Sequence, residues 1–136
     1  MDDVILNKVA IVEKCLQRIH EEYDGHEDEL EHNYTKQDAI LLNLLRACEA
    51  VIDLGMRLVR LEKLGIPQSS RDVFVFLEQS KKISPEVSEE LQKMVGFRNI
   101  AVHDYQKMNL TIVHGVIKNK LRYFQEFCRQ IMQSPE

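Results

Sequence analysis

The chain is poor in the residues that interrupt regular structure. With 5 glycines and 3 prolines in 136 residues, no internal repeat and no low-complexity tract, it offers few places to divide it, so a single domain over residues 1–136 is expected. Long apolar runs are missing too. Stretches such as residues 4–6 and 40–42 are short and end at polar residues, far below the roughly 20 residues that span a bilayer. No transmembrane helix or membrane partner is therefore expected. The opening Met1-Asp2-Asp3 is acidic where a secretory signal carries positive charge, which points to a cytoplasmic location. Cys15, Cys48 and Cys128 are odd in number and widely spaced, which suits neither a disulfide framework nor a Cys-x-x-Cys zinc site. Each falls at a helical apolar position and reads as a small buried hydrophobe. A phosphate-binding glycine loop, a Cys/His nucleophile pair and clustered carboxylates for Mg²⁺ are also lacking, so no metal or cofactor is expected.

An overall excess of positive charge, the usual footprint of a phosphate binder, is absent as well: the net charge is -4. The distribution weakens that objection. Residues 1–35 hold 3 basic and 10 acidic side chains, whereas residues 98–136 hold 6 basic and 3 acidic. A basic surface near the chain's end is thus compatible with the acidic total, although such an imbalance also describes a solvated face.

What the chain does have is helical periodicity. Ile5, Val9, Val12, Leu16, Ile19 and Tyr23 recur at steps of four and three, one face of a long first helix that frays near Asp24-Gly25. An acidic stretch over 25–33 follows. A second helix is expected from Thr35 or Lys36 to Leu64, with Leu41, Leu44, Leu45, Cys48, Ile52, Gly55 and Val59 inward and Gly65 as its stop. Ser69 or Ser70 can cap a short third helix that ends near Lys82. Ser84-Pro85-Glu86 combines a capping hydroxyl, a proline at a tolerated position and a carboxylate at the positive end of the dipole, and starts a fourth. Asn109 can cap a fifth, carrying the stripe Val113, Ile117, Leu121, Phe124, Cys128 and Ile131. The expected fold is an all-α, up-and-down bundle of four to five helices.

The fourth helix holds an anomaly. Its apolar register Val87, Leu91, Met94 next lands on Arg98, a charge costly to desolvate, so Arg98 is paired with a helix carboxylate, placed at a subunit interface, or turned toward an anion-binding cleft. Asn99, His103, Asp104 and Tyr105 follow closely. Imidazole is the side chain that titrates nearest neutrality and can move a proton to or from an RNA 2′-hydroxyl or leaving oxygen. A guanidinium offers a fixed, charged fork to a phosphate gaining negative charge. Five residues, however, place Arg98 and His103 about 140° apart on a regular helix. To share a phosphate, the helix must end or distort near Val102, or one side chain must come from another subunit.

Plainer readings stand beside this one. His103 is also an ordinary helix-end histidine, and Tyr105 a half-buried core tyrosine. His20, His26 and His32, six residues apart, do not share a helical face and read as solvated. Glu49, Asp53, Arg57 and Arg60 form a charged line on the second helix, a set of surface ion pairs or the border of an RNA cleft.

Phe97-Arg98-Asn99-Ile100-Ala101-Val102-His103-Asp104-Tyr105 resembles the Arg-x4-His-x-Tyr signature of the HEPN superfamily, specifically its HepT-type toxins. The likeness extends over nearly the whole chain, through Arg46-Ala47-Cys48-Glu49-Ala50-Val51-Ile52-Asp53-Leu54 and the Gly65-Ile66-Pro67 turn. It implies an all-α homodimer whose two motifs meet in a composite cleft, and a metal-independent endoribonuclease toxin neutralised by a minimal nucleotidyltransferase antitoxin. On that pattern Arg98 and His103 are catalytic, Asn99 assists, and Tyr105 is the AMP acceptor. The alternative is a non-enzymatic binding or regulatory subunit of a nucleotidyltransferase.

Overall fold

The structure is a computed structural model that describes residues 2–103 and 108–133. All its regular elements are helical: α1 (Asp3–Tyr23), a 3₁₀ turn (Glu27–Glu29), α2 (Tyr34–Leu61), α3 (Ser70–Gln79), α4 (Pro85–His103), α5 (Leu110–Asn119) and α6 (Leu121–Gln133). The Asp2 carboxylate caps α1 by accepting from the Val4 and Ile5 amides, and the face read from the sequence, Ile5 through Tyr23, is buried. Two ion pairs fix how α2 returns along α1. Lys36, at the start of α2, reaches Glu22 at 2.9 Å, and Lys8, near the start of α1, reaches Asp53 at 3.3 Å. The two helices are therefore antiparallel. Among the described residues no helix is long and apolar enough to cross a membrane.

Three boundaries differ from the expectation; one is that α3 ends at Gln79 rather than near Lys82, and its N-cap Ser69 makes no side-chain capping bond. Asn33 caps α2 through the Lys36 amide, so the helix begins at Tyr34, and it ends at Leu61 rather than Leu64. The chain leaves it through Lys63, in the left-handed region at φ 54°. Gly65, at φ 151°, lies against the Phe76 ring, where a Cβ would come within 2.9 Å. Its lack of a side chain thus serves the approach of α3 as well as the turn.

The expected fifth helix is two, so the bundle has six α-helices among the described residues rather than four or five. Lys120 interrupts it, with φ -116° and ψ -15° and its ammonium 2.8 Å from Glu90 on α4. The apolar stripe nevertheless crosses the break intact: Val113, Ile117, Leu121, Phe124, Cys128 and Ile131 are all buried. A one-residue interruption leaves a 3.6-residue period almost unshifted, which hides it from pattern reading.

These helices enclose a continuous apolar core, with Leu16, Ile19, Leu44, Leu54, Phe74, Leu91, Phe124 and Phe127 shielded from solvent and Phe74 edge-on to Phe127. Gly55 lets α2 approach α3 and α6; a Cβ there would lie 2.6 Å from Val73 Cγ1. Cys15, Cys48 and Cys128 are free and buried, and burial pushes the Cys48 and Cys128 thiols up to about 12.

Candidate active site

The fourth helix starts as its sequence dictates. Ser84 Oγ accepts from the Val87 amide at 3.2 Å, Pro85 opens the helix, and Gln130 of α6 accepts from the Ser84 amide at 2.8 Å. Tyr123 of α6 donates to Glu86 at 2.9 Å, and Ser88 Oγ donates to the Phe74 carbonyl at 3.2 Å. With α6 on one side and α3 on the other, α4 has little freedom to roll. Its buried seam is Val87, Leu91, Met94, Val95, Phe97 and Ala101.

Arg98 sits on that seam with its side chain only 20% exposed. Its Nη1 donates to Glu49 Oε1 of α2 at 2.6 Å and its Nη2 to Ser70 Oγ of α3 at 3.4 Å. The helix-carboxylate pairing is thus present, and the acceptor belongs to the charged line on α2. Two other members of that line reach α1 and its cap: Asp53 meets Lys8, and Arg57 meets Asp2 at 2.9 Å. Glu49 itself is 49% exposed, so this is a carboxylate at the rim of the surface, holding the guanidinium by one edge. Arginine carries five N–H donors, and two are engaged here; Nε is buried without a partner among the described residues.

Asn99 and His103 are exposed, flanked by the equally exposed Ile100 and Val102. The helix runs unbroken from Pro85 to His103, so no distortion before His103 turns its imidazole toward Arg98. Within one chain the two diverge by about 140°. Asn99 and His103, four residues apart, do share a face. Tyr105 and Asp104 lie outside the described residues.

One neighbour of this face was not singled out from the sequence. Gly96 lies three residues before Asn99 and seven before His103, on the same stripe of α4. A Cβ there would fall 2.8 Å from Arg71 Nη2 and within 4 Å of nothing else. The Arg71 guanidinium therefore rests on the helix backbone at Gly96. A glycine inside a helix costs about 1 kcal/mol relative to alanine. That was the available signal, but which side chain fills the gap is a tertiary fact.

Three of the other histidines have side-chain partners, local for His20 and His26 and long-range for His114. His20 meets Asp24 at 3.2 Å, and His26 lies 2.5 Å from Glu29. His114 of α5 links the buried Tyr23 hydroxyl, 2.7 Å from Nδ1, to Glu31, 2.6 Å from Nε2, and so ties α5 to the corner between α1 and α2. His114 holds the Glu31 carboxyl below its usual range, and burial raises the Tyr23 hydroxyl.

The family described as Ribonuclease HepT-like matches residues 12–131. The chain belongs to the HepT-like ribonuclease family. Among curated HepT-like proteins it is 47% identical to the mRNA nuclease HepT of Shewanella oneidensis over 127 residues, 93% of this chain and 95% of that protein. Among solved structures it superposes on the tri-AMPylated HEPN toxin of Shewanella oneidensis in complex with its MNT antitoxin with a TM-score of 0.93. That pair shares 46% identity, over 98% of this chain and 100% of the other. A tyrosine-to-alanine mutant of the toxin-antitoxin MntA-HpeT gives a TM-score of 0.92 at 43% identity, over 97% of this chain and all of that one.

Proposed function

We propose that this chain is the toxin of a toxin-antitoxin pair, a metal-independent endoribonuclease neutralised by AMP transfer to Tyr105 from a nucleotidyltransferase antitoxin. The carrying observation is the near full-length similarity to an mRNA nuclease, together with the Arg98-x4-His103-x-Tyr105 spacing in the sequence. Residues 1–136 act as one HEPN-like domain, in the cytoplasm. His103 takes the proton of an RNA 2′-hydroxyl; the freed oxygen attacks the adjacent phosphorus; the 5′-oxygen leaves and acquires a proton. The products carry a 2′,3′-cyclic phosphate and a 5′-hydroxyl. Arg98 stabilises charge building on the phosphoryl oxygens, and Asn99 orients the imidazole or the phosphate.

Because Arg98 and His103 diverge on one straight helix, this chemistry is best served by two copies across a twofold axis, each lending one group to the same phosphate. The exposed Ile100 (56%) and Val102 (57%) beside the motif support that arrangement. An adenylate on Tyr105 brings negative charge within two residues of His103 and repels the RNA backbone.

In excess EDTA the purified protein should cut RNA and leave cyclic phosphate ends. His103→Ala should lower the rate by at least about 100-fold, the ordinary share of a general base. Co-expression with a cognate minimal nucleotidyltransferase should add adenylate mass that Tyr105→Phe does not take up. The Arg98–Glu49 pair and the net charge of -4 favour one other reading, a regulatory subunit that presents Tyr105 without turning over RNA. Binding to the nucleotidyltransferase with intact RNA at high enzyme concentration would select it.

A further inference from the structure

Arg71 faces the same stripe of α4 as His103, which Arg98 of the same chain does not. Taking Gly96 as origin, Asn99 lies 60° and His103 about 20° round the helix axis, whereas Arg98 lies about 160° away. The Arg71 fork lies over that origin, in the space that a Cβ at position 96 would crowd, 2.8 Å from its Nη2. Arg71 is exposed and makes no hydrogen bond or ion pair among the described residues, a state it shares with Arg18, Arg46 and Arg60; what sets it apart is its seat against Gly96 on the stripe that carries His103. With no carboxylate on it among the described residues and in line with His103, this guanidinium is placed to take an anion.

We propose that Arg71 is an RNA-binding residue that grips a phosphate flanking the scissile one. The inference deepens the ribonuclease reading and rests on it for the location of the scissile bond. Seven residues of helix separate Gly96 from His103 by about 10 Å along the axis, too far for one phosphate to meet both groups and suited to the next phosphate along a single strand. Asn99 lies between them. The contact carries no sequence information, because it reads only the backbone. Gly96 is the positioning element: any side chain there lifts the fork away without changing the charge.

The test is fluorescence anisotropy with a labelled single-stranded RNA in the His103→Ala background, where cutting does not interfere. Arg71→Ala should weaken binding about fivefold and make the slope of log K against log salt shallower by about 0.7, one phosphate contact on a single strand. Gly96→Ala should weaken it as well with net charge unchanged, and Arg71→Lys should restore part of the loss. In the cleaving enzyme, the effect of Arg71→Ala should fall mainly on KM rather than kcat. Affinity and salt slope unaltered by Arg71→Ala would overturn the proposal, as would a loss seen only in binding to the nucleotidyltransferase. Wild-type protein that binds RNA but never cuts it would sink the ribonuclease reading, yet leave the Arg71 contact measurable in the same titration.

Discussion

The same chemical change, glycine to alanine, should act with opposite signs at two places in this fold. At Gly115, inside α5, an added Cβ meets nothing within 4 Å among the described residues. Gly115→Ala therefore keeps only the helix-propensity gain, about 1 kcal/mol of stabilisation. At Gly55, inside α2, the Cβ would stand 2.6 Å from Val73 Cγ1, 3.3 Å from Leu77 Cδ1 and 3.7 Å from Phe127 Cζ. Val73 and Leu77 are fully buried, and a valine has little χ1 freedom to yield. Overpacking of a filled core costs about 1–3 kcal/mol, and a contact this short belongs in the upper half of that range. Set against the same propensity gain, Gly55→Ala should lose about 1–2 kcal/mol net. Melting temperatures should move by roughly 3–5 °C per kcal/mol for a chain of this length, up for Gly115→Ala and down for Gly55→Ala. Urea titration and calorimetry at one fixed protein concentration read both, the fixed concentration holding any self-association constant. Equal shifts of the same sign would refute the packing argument, because propensity alone predicts that result.

Three other outcomes follow from the site and its surroundings. Glu49→Ala removes the carboxylate that holds Arg98 by one edge, and turnover of RNA should fall about tenfold as the fork loses its orientation, with unchanged far-ultraviolet circular dichroism. In native protein at pH 8 all three thiols should resist a soluble alkylating reagent, since burial raises each of them, and all three should react in denaturant; mass spectrometry counts the adducts. Hydrogen bonds from Arg129 and Gln130 hold the Glu126 carboxyl down to about 2. A carboxyl depressed in the folded state contributes stability above its unfolded value near 4.3 and loses that contribution as pH falls toward 2, so Glu126→Gln should flatten the acid limb of a stability-against-pH curve in that window.

Much of the frame was readable because it depends on local rules. The strict four-three recurrence from Ile5 to Tyr23 and the start at Ser84-Pro85-Glu86 both appear where the pattern puts them. The break at Lys120 was hidden, having neither proline nor glycine to mark it and no shift in the apolar stripe. The early end of α2 was hidden because Gly65, the obvious stop, is engaged by Phe76 instead. In the candidate site, the types and spacing of Arg98, Asn99 and His103 were legible, and so was the poor alignment of Arg98 with His103. The identity of the carboxylate on Arg98, 49 residues away, and the seat of Arg71 over Gly96 are long-range facts that no window along the chain contains.

The close of α4 at His103 and the Asn109 cap of α5, whose side chain accepts from the Thr111 and Ile112 amides, fix the two ends of a short tether. Whatever path the chain takes between them, the α-carbon two residues beyond His103 lies within about 7 Å of its own. On the proposed function, an adenylate on Tyr105 would be tethered to the chain that carries the imidazole and would compete with RNA as an intramolecular rival. Raising the RNA level would hardly displace it, so recovery of activity would depend on breaking the covalent bond rather than on mass action.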